Sequence, residues 1–445
     1  MITVVGTGTG APLPQDVAAG AALVVGGRRH LDAVRLPAGA ERVVLGPLAP
    51  ALDTVAGYVE KELPVLVLAS GDPGFFGIVR VLAERFGAER LSVRPGVSSV
   101  ATAFARLGLP WDDAVVVSAH GRALRTAVHV CRARPKVAVL TGPGAGPAEL
   151  GAALAGRDRV LVVASALGDP VRERVERVTP AEAAARDWGT AVSVVLCLAT
   201  RRGPDAAGAP SVPDEPPVPP VPHVPDVPSV PDASLVPRVP GALAGAAPGP
   251  SRWALEESEF AHRDSMITKF EVRALALARL GPRLGDLVWD VGAGSGSVAV
   301  ECARLGAAVV AVEKSADGVA RIRENARAHG VEVDVVHGTA PDALDGLAQD
   351  PDAVFIGGGG RELPAVIRAC APRARRAVVV AMAALDRVPA AREALTGAGL
   401  RCDGVLLQSS RLAPLPGEVT RLAATNPVFL LWGVRSPVSN RGVDQ

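Results

Sequence analysis

The segment 287–301 reads Leu-Val-Trp-Asp-Val-Gly-Ala-Gly-Ser-Gly-Ser-Val-Ala-Val-Glu, an apolar run that passes into three alternate glycines and then into a helical pattern. Gly292, Gly294 and Gly296 remove every Cβ where backbone must lie against a ligand, and the helix start that follows offers unpaired N–H groups. A second apolar run, 307–312, ends in Glu313, about 20 residues after the turn begins, the spacing at which a carboxylate accepts ribose hydroxyls. Strand, glycine turn, helix, strand and acid make half of a mononucleotide-binding fold. The chemistry to expect is the holding of a nucleotide-like cofactor. No Ser/His/Asp set and no Cys/His cluster stands at the spacing of a hydrolase or a metal centre, so no metal is expected.

The elements that must position such turns can be followed along the chain. A β-branched run at 2–5 leads into Gly6, Gly8 and Gly10. Another at 65–69 leads into Ser70-Gly71-Asp72-Pro73-Gly74, ahead of a helix predicted over 78–86. Strand-like runs at 91–93, 115–118, 137–140, 159–164 and 191–198 alternate with helical stretches, so residues 1–201 read as an α/β domain. Ligands of open α/β sheets bind at the C-terminal ends of the strands, where these glycine turns fall. Within 202–250 Val-Pro recurs at nearly every third position; such a segment cannot bury a core and is expected to be a disordered, Pro-rich linker, reaching ~3.1 Å per residue where regular. Residues 251–437 form the second domain. A helix is predicted there over 268–280, with Thr268 as its cap, followed by strands near 287–291, 307–312, 332–337, 353–356, 377–381, 404–409 and 428–433. Each half has its own α/β pattern and enough apolar residues for a core, so the halves are expected to fold and work separately, joined without rigid docking.

Composition sets the outer bounds. At 445 residues the chain exceeds one hydrophobic core. Its 47 basic and 46 acidic residues leave a net charge of +1, which supplies no footprint for nucleic acid or for an anionic membrane. Five cysteines lie far apart and outline no disulfide framework, which suits a reducing compartment. No apolar run reaches the ~18 residues of a membrane span. A cytoplasmic, homo-oligomeric protein with a small-molecule ligand, without nucleic-acid or membrane partners, is expected.

Asp290-x-Gly292-x-Gly294-x-Gly296 resembles the S-adenosylmethionine-dependent methyltransferases of the Rossmann-like class, whereas a pyrophosphate would favour Gly-x-Gly-x-x-Gly. In the first half, Gly6-x-Gly8-x-Gly10, Ser70-Gly71-Asp72-Pro73, Pro95-Gly96-Val97-Ser98-Ser99 and Ser118-Ala119-His120-Gly121-Arg122 are similar to the tetrapyrrole methylase family, in particular its carbon-5 precorrin branch. In the second half, residues 266–273 (Met-Ile-Thr-Lys-Phe-Glu-Val-Arg), the glycine turn and Phe355-Ile356-Gly357-Gly358-Gly359 resemble the carbon-15 methylases that also decarboxylate. Their fused order resembles the precorrin-6Y C5,15-methyltransferases (decarboxylating) of cobalamin biosynthesis.

This resemblance implies a tetrapyrrole methylase fold of two α/β subdomains, then a seven-stranded Rossmann-like domain, with S-adenosylmethionine bound in each. It implies cofactor contacts from Gly6, Gly8, Gly10, Gly71, Asp72, Ser98 and Ser99 in the first half. In the second half it implies contacts from Thr268, Gly292, Ala293, Gly294, Ser295, Gly296, Glu313 and Ala340. The implied reaction methylates precorrin-6Y at carbons 5 and 15 and decarboxylates the ring C acetate, giving precorrin-8. Such a macrocycle carries many carboxylates, for which Arg makes bidentate contacts. His120, Arg122, Asp264 and Lys269 are the acid–base candidates, and Arg273, Gly357, Gly358 and Arg411 the substrate contacts. A methyltransferase pair acting on the cobalt-containing analogue or another tetrapyrrole remains an alternative, as does a nucleotide-binding protein without chemistry.

Overall fold

The structure is a computed structural model that describes residues 1–7, 17–46, 48–189, 193–200, 252–263, 267–358, 360–417 and 419–435. Gly8, Gly10, Asp264 and the 202–250 segment lie outside the described residues.

The first half forms two sheets. β1 (Ile2–Thr7), β2 (Leu23–Gly26), β3 (Glu41–Val44), β4 (Val65–Ser70) and β5 (Leu91–Arg94) stand in the order β3-β2-β4-β1-β5. Every pairing among them is parallel. β6 (Val115–Ser118), β7 (Lys136–Leu140), β8 (Arg159–Ser165), β9 (Arg174–Val178) and β10 (Ser193–Ala199) make the second sheet, order β6-β7-β10-β8-β9, in which only β6 and β7 pair in parallel. Continuous Val/Leu runs such as Val65-Leu66-Val67-Leu68 are buried on both faces, as parallel strands covered by helices must be.

The second half carries β11 (Leu287–Val291), β12 (Ala308–Glu313), β13 (Asp334–His337), β14 (Ala353–Gly357), β15 (Ala377–Met382), β16 (Arg401–Leu407) and β19 (Val428–Val434) in one sheet, order β13-β12-β11-β14-β15-β19-β16. Its first five strands are parallel and β19 alone runs against them, pairing antiparallel with both β15 and β16. Seven strands match the sequence reading. The added hairpin of β17 (Ser410–Leu415) and β18 (Val419–Ala424) was not expected. Among the described residues no helix is long and apolar enough to cross a membrane.

The halves are docked, contrary to the expectation of a junction without contact. Arg125, His129 and Arg132 occupy one face of the helix Leu124–Ala133, at helical spacing. Arg125 makes a fork to Asp352, 2.8 and 3.1 Å; Arg132 and Arg157 pair with Asp334; Arg159 makes a fork to Glu332, 2.7 and 2.9 Å. His129 lies between the Gly285 carbonyl at 3.0 Å and Gln349 Oε1 at 3.2 Å.

Glycine is obligatory where the first-half loops meet. A Cβ on Gly6 would lie 2.0 Å from the Gly71 carbonyl oxygen and 2.3 Å from Gly96 N, and the Gly96 N–H donates to that same carbonyl at 3.2 Å. Gly57, inside the helix Leu48–Glu60, has open space around it. Gly6→Ala should therefore destabilise the chain by about 2 kcal/mol or more through overpacking, while Gly57→Ala should stabilise it by ~0.5–1 kcal/mol. Thermal unfolding of the two variants gives the check: shifts of the same sign would contradict this packing.

Candidate functional sites

The second-half site is built at the C-terminal ends of β11–β14. β11 ends at Val291 and the chain turns through Gly292, Gly294 and Gly296 at φ of 72°, 58° and 75°, left-handed values that exclude side chains at little cost only for glycine. A Cβ on Gly292 would sit 2.4 Å from the Gly357 carbonyl oxygen, and one on Gly296 would sit 2.9 Å from Ile322 Cγ1. The first glycine therefore serves the contact between two strand ends, and the third the packing of the helix Ala316–Ala328. Glu313, at the end of β12, accepts from the Gly294 N–H through Oε2 at 2.9 Å and from the Ser315 N–H through Oε1 at 2.8 Å. Each of its oxygens keeps a lone pair for a further donor.

Gly292, Glu313, Ala340 and Gly357 line one cavity of about 380 Å³. Lys314 and Arg361 line it too, and the sequence reading had passed over both. Lys314 directly follows Glu313 and so was findable by position; Arg361 stands in the short 3-10 helix Gly360–Glu362, with no signal of its own. Ala293 and Ser295 belong to the turn, but Ser295 faces inward, 4% exposed, with its carbonyl accepting from Asn325 at 2.8 Å. Gly358, at φ 86°, directly follows β14 and is not among the residues lining the cavity.

Asp290 is the residue that the sequence reading quoted but did not assign. It is 1% exposed; Oδ2 accepts from the Ala299 N–H at 2.9 Å, and Oδ1 has no partner. Burial, with the Glu313 charge adding to it, pushes this carboxyl up to about 7. An orphaned carboxylate oxygen two residues before the glycine turn, a backbone cradle and a ribose-ready acid together suit a cofactor that carries a nucleoside and positive charge.

In the first half the loops after β1, β4 and β5 converge. Gly71 (φ 58°) donates its N–H to the Thr7 carbonyl at 2.8 Å. Asp72 closes its own turn by accepting from the Gly74 N–H at 2.8 Å. Ser98 caps the helix Ser99–Leu107 by accepting from the Ala101 N–H at 3.1 Å, which leaves its O–H as a donor, and Ser99 is the first helical residue. His120 lies exposed against Gly142, where a Cβ would come within 2.8 Å of Nδ1. Arg122 lies over the Phe76 ring at 5.7 Å, and both line a cavity of about 200 Å³ with Ser118 and Thr126.

A polar cluster at the same strand ends was missed. Ser70 Oγ accepts from Arg29 Nη2 at 2.6 Å and lies 2.9 Å from His30 Nε2, which also faces Arg29 Nε at 3.3 Å. Burial first, then the Arg29 charge, pushes His30 down to about 4, so it is neutral and its Nε2 accepts. Burial and the nearby Arg172 charge hold the Arg29 guanidinium below its usual pKa. The only signal was Gly26-Gly27-Arg28-Arg29-His30 following an apolar run.

Three expectations are corrected. Arg273 does not face a substrate: it is fully buried, donates to the Leu255 and Thr268 carbonyls and lies 3.6 Å from Glu301, because the helix Phe270–Leu280 turns that face into the core. Thr268 does not cap that helix; Lys269 occupies the cap position, and Glu257 accepts from the Phe270 N–H at 3.0 Å instead. Thr268 is also not among the residues lining the 380 Å³ cavity. Arg411 is occupied by two carboxylates, Glu257 at 2.8 and 2.9 Å and Glu271 at 3.0 and 3.2 Å, so it has no free fork for a macrocycle. That pairing holds the Glu257 carboxyl down to about 2.

Comparison with known proteins follows the same division. Residues 1–184 match the family of tetrapyrrole (corrin/porphyrin) methylases, and residues 258–434 match the precorrin methyltransferase domain. A precorrin-6Y C(5,15)-methyltransferase [decarboxylating] of Sinorhizobium sp. is 36% identical over 350 residues, which cover 77% of this chain and 73% of the relative. The chain belongs to the precorrin-6Y C(5,15)-methyltransferase (decarboxylating) family. Single-activity relatives match shorter stretches. A probable cobalt-precorrin-6B C(15)-methyltransferase (decarboxylating) of Pyrobaculum calidifontis is 38% identical over 171 residues, 37% of this chain and 87% of its own length. A cobalt-precorrin-7 C(5)-methyltransferase of Salmonella typhimurium is 34% identical over 166 residues, 36% of this chain and 80% of its own length. The fold expected from the resemblance is the one observed.

Asp290 supplies a pH test within this family's glycine turn. Its folded value of about 7 lies above the ordinary 3.8, so the folded state prefers the protonated carboxyl. Stability is then undiminished below about pH 4, falls as pH rises from 4 to 7 by up to ~1.4 kcal/mol per unit, and levels above that. Asp290→Asn should remove this slope while its amide oxygen keeps the Ala299 bond. The variant should gain on the wild type as pH rises from 4 to 7 in thermal melts; a difference that stays flat across that window would contradict the raised value.

Proposed function

We propose that this chain methylates precorrin-6Y at carbons 5 and 15 and decarboxylates its ring C acetate, giving precorrin-8, with S-adenosylmethionine as the methyl donor in both halves. The observation that carries this reading is a glycine-lined strand-end cavity in the second half together with converging glycine loops at the strand ends of the first, in a family whose named member is called a methyltransferase of both carbons. Residues 1–201 are taken as the carbon-5 domain, 202–250 as the linker and 251–437 as the carbon-15 domain.

When bound, S-adenosylmethionine supplies an electrophilic methyl on a sulfonium. The protein's own work is to hold and orient, which is worth up to ~7–11 kcal/mol in favourable cases and needs no strong base when the accepting carbon is electron-rich. In the second half Glu313 would take the ribose and the Gly292–Gly357 backbone contact would allow the close approach of the cofactor. Lys314 and Arg361 would receive macrocycle carboxylates, the role that Arg273 and Arg411 cannot fill. Lys269 at its helix start remains the acid–base candidate there. In the first half Arg122 and His120 stand at the ends of β6, and Arg29 and Arg172 add positive charge at the opposing loops. All five cysteines are free, which supports a reducing, cytoplasmic setting. Leu412 and Leu422, cross-strand partners on β17 and β18 at 78% and 67% exposure, support self-association.

Incubation of the purified chain with S-adenosylmethionine and precorrin-6Y, read by mass, should show two methyl additions with loss of carbon dioxide. An unchanged mass with precorrin-6Y but a change with its cobalt analogue would move the substrate assignment. Glu313→Ala should weaken S-adenosylmethionine binding at one of two sites by ~1.5–3 kcal/mol in calorimetry; two sites of unaltered affinity would remove Glu313 from the ribose.

A further inference from the structure

The contact between the halves has a one-sided charge pattern. Arg125, Arg132, Arg157 and Arg159 all come from the first half, and Asp352, Asp334 and Glu332 all come from the second. These are not loose surface pairs. The Arg159 side chain is 3% exposed and that of Arg132 8%, and two of the four arginines reach their carboxylates through two nitrogens. Arg159 is also fixed from behind, donating to the Cys131 carbonyl at 2.9 Å and the Arg132 carbonyl at 3.2 Å, so its fork is set before the partner arrives. Arg125 donates in addition to the Asp350 carbonyl at 3.0 Å, and Arg132 to Gln349 at 3.0 Å. Packing adds to charge: a Cβ on Gly285 would come within 3.0 Å of Thr126, and one on Gly306 within 3.1 Å of Arg134.

The edges used are equally specific. Arg157 and Arg159 stand where β8 begins, and Arg132 stands shortly before β7 begins, opposite the ends of β6 and β7 that carry His120 and Gly142. Glu332, Asp334, Gly285 and Asp352 stand where β13, β11 and β14 begin, opposite the ends that carry Gly292, Glu313 and Gly357.

We propose that the Arg-bearing face of the Leu124–Ala133 helix and the start of β8 form a docking surface whose partner is the acidic starting edge of the second half's sheet, and that it holds the two halves together without help from the covalent linker. Preset forks and matched charge favour such association because little side-chain freedom is lost on contact. This inference does not rest on the reaction assigned above.

The test uses the whole chain with a protease site placed within residues 204–250, cut after folding. The two pieces should co-elute one to one at low salt and micromolar concentration, and part more readily as salt rises. Glu332→Lys with Asp334→Lys, both on partly exposed side chains, should weaken the association of the cut pieces by about a hundredfold or more. Arg157→Glu in the other piece should recover part of that loss. Melting of the uncut variants at the wild-type temperature shows that each half is folded. Pieces that separate at low salt overturn the proposal, as does co-elution that neither the reversed carboxylates nor the compensating change alters.

Discussion

The close approach of backbone to backbone at the strand ends is the constraint on which both clefts depend. In the first half the ends of β1 and β4 and the turn after β5 meet through Gly6, Gly71 and Gly96, with carbonyl and N–H groups where side chains would otherwise stand. In the second half Gly292 meets the Gly357 carbonyl in the same manner. The two sites reach this end by different topologies, a five-stranded parallel sheet and a seven-stranded mixed one. What they share is local. Parallel strands deliver their loops to one edge, and removing Cβ atoms there lets the loops touch each other, with the N–H groups of Gly71, Gly96, Gly292, Gly294 and Gly296 paired inside the turns.

That constraint explains which parts of the chain were legible. A glycine at positive φ is a local requirement, so Gly292, Gly294 and Gly296 announce the turn before any contact is known. Glu313 follows from spacing along two strands of fixed rise. Arg273 was illegible for the opposite reason. Its type marks surface, and only the tertiary arrangement supplies the Leu255 and Thr268 carbonyls and the Glu301 charge that make burial tolerable. The β17–β18 hairpin escaped because Pro414 and Pro416 argue against strands, although Pro414 is accommodated on a two-stranded sheet, where one backbone edge has no ladder to join. The Arg132–Asp334 pair spans 202 positions of sequence, beyond the reach of any pattern within a window.

Asp290 shows how one site can hold a group at odds with its surroundings. A carboxylate without a partner for Oδ1 is costly in a folded core, and the Ala299 N–H answers only the other oxygen. Its raised pKa follows from this, because burial and the Glu313 charge favour the uncharged, protonated form. Arg411, by contrast, is already complete, held by Glu257 and Glu271, and ties the hairpin to the segment before the Phe270–Leu280 helix. Two ionisable groups thus end differently, a buried carboxyl with one unmet oxygen before the glycine turn and a fully paired cation in the frame.

The docked arrangement adds a limit on how the two chemistries can cooperate. The second half presents the edge where its strands begin, and the first half presents a helix face that runs from Arg125, near the end of β6, to Arg132, before the start of β7. Gly292 and Gly357 therefore stand at the edge of their sheet away from this contact, and none of the residues lining the 380 Å³ cavity comes from the first half. Strong interface charge does not alter this, because the arginines spend their forks on Asp352, Asp334 and Glu332 and leave none directed at a cleft. Cooperation between the halves must then act through concentration, by keeping the second cleft near wherever the first releases its product, and that advantage falls as distance grows rather than depending on a shared chamber.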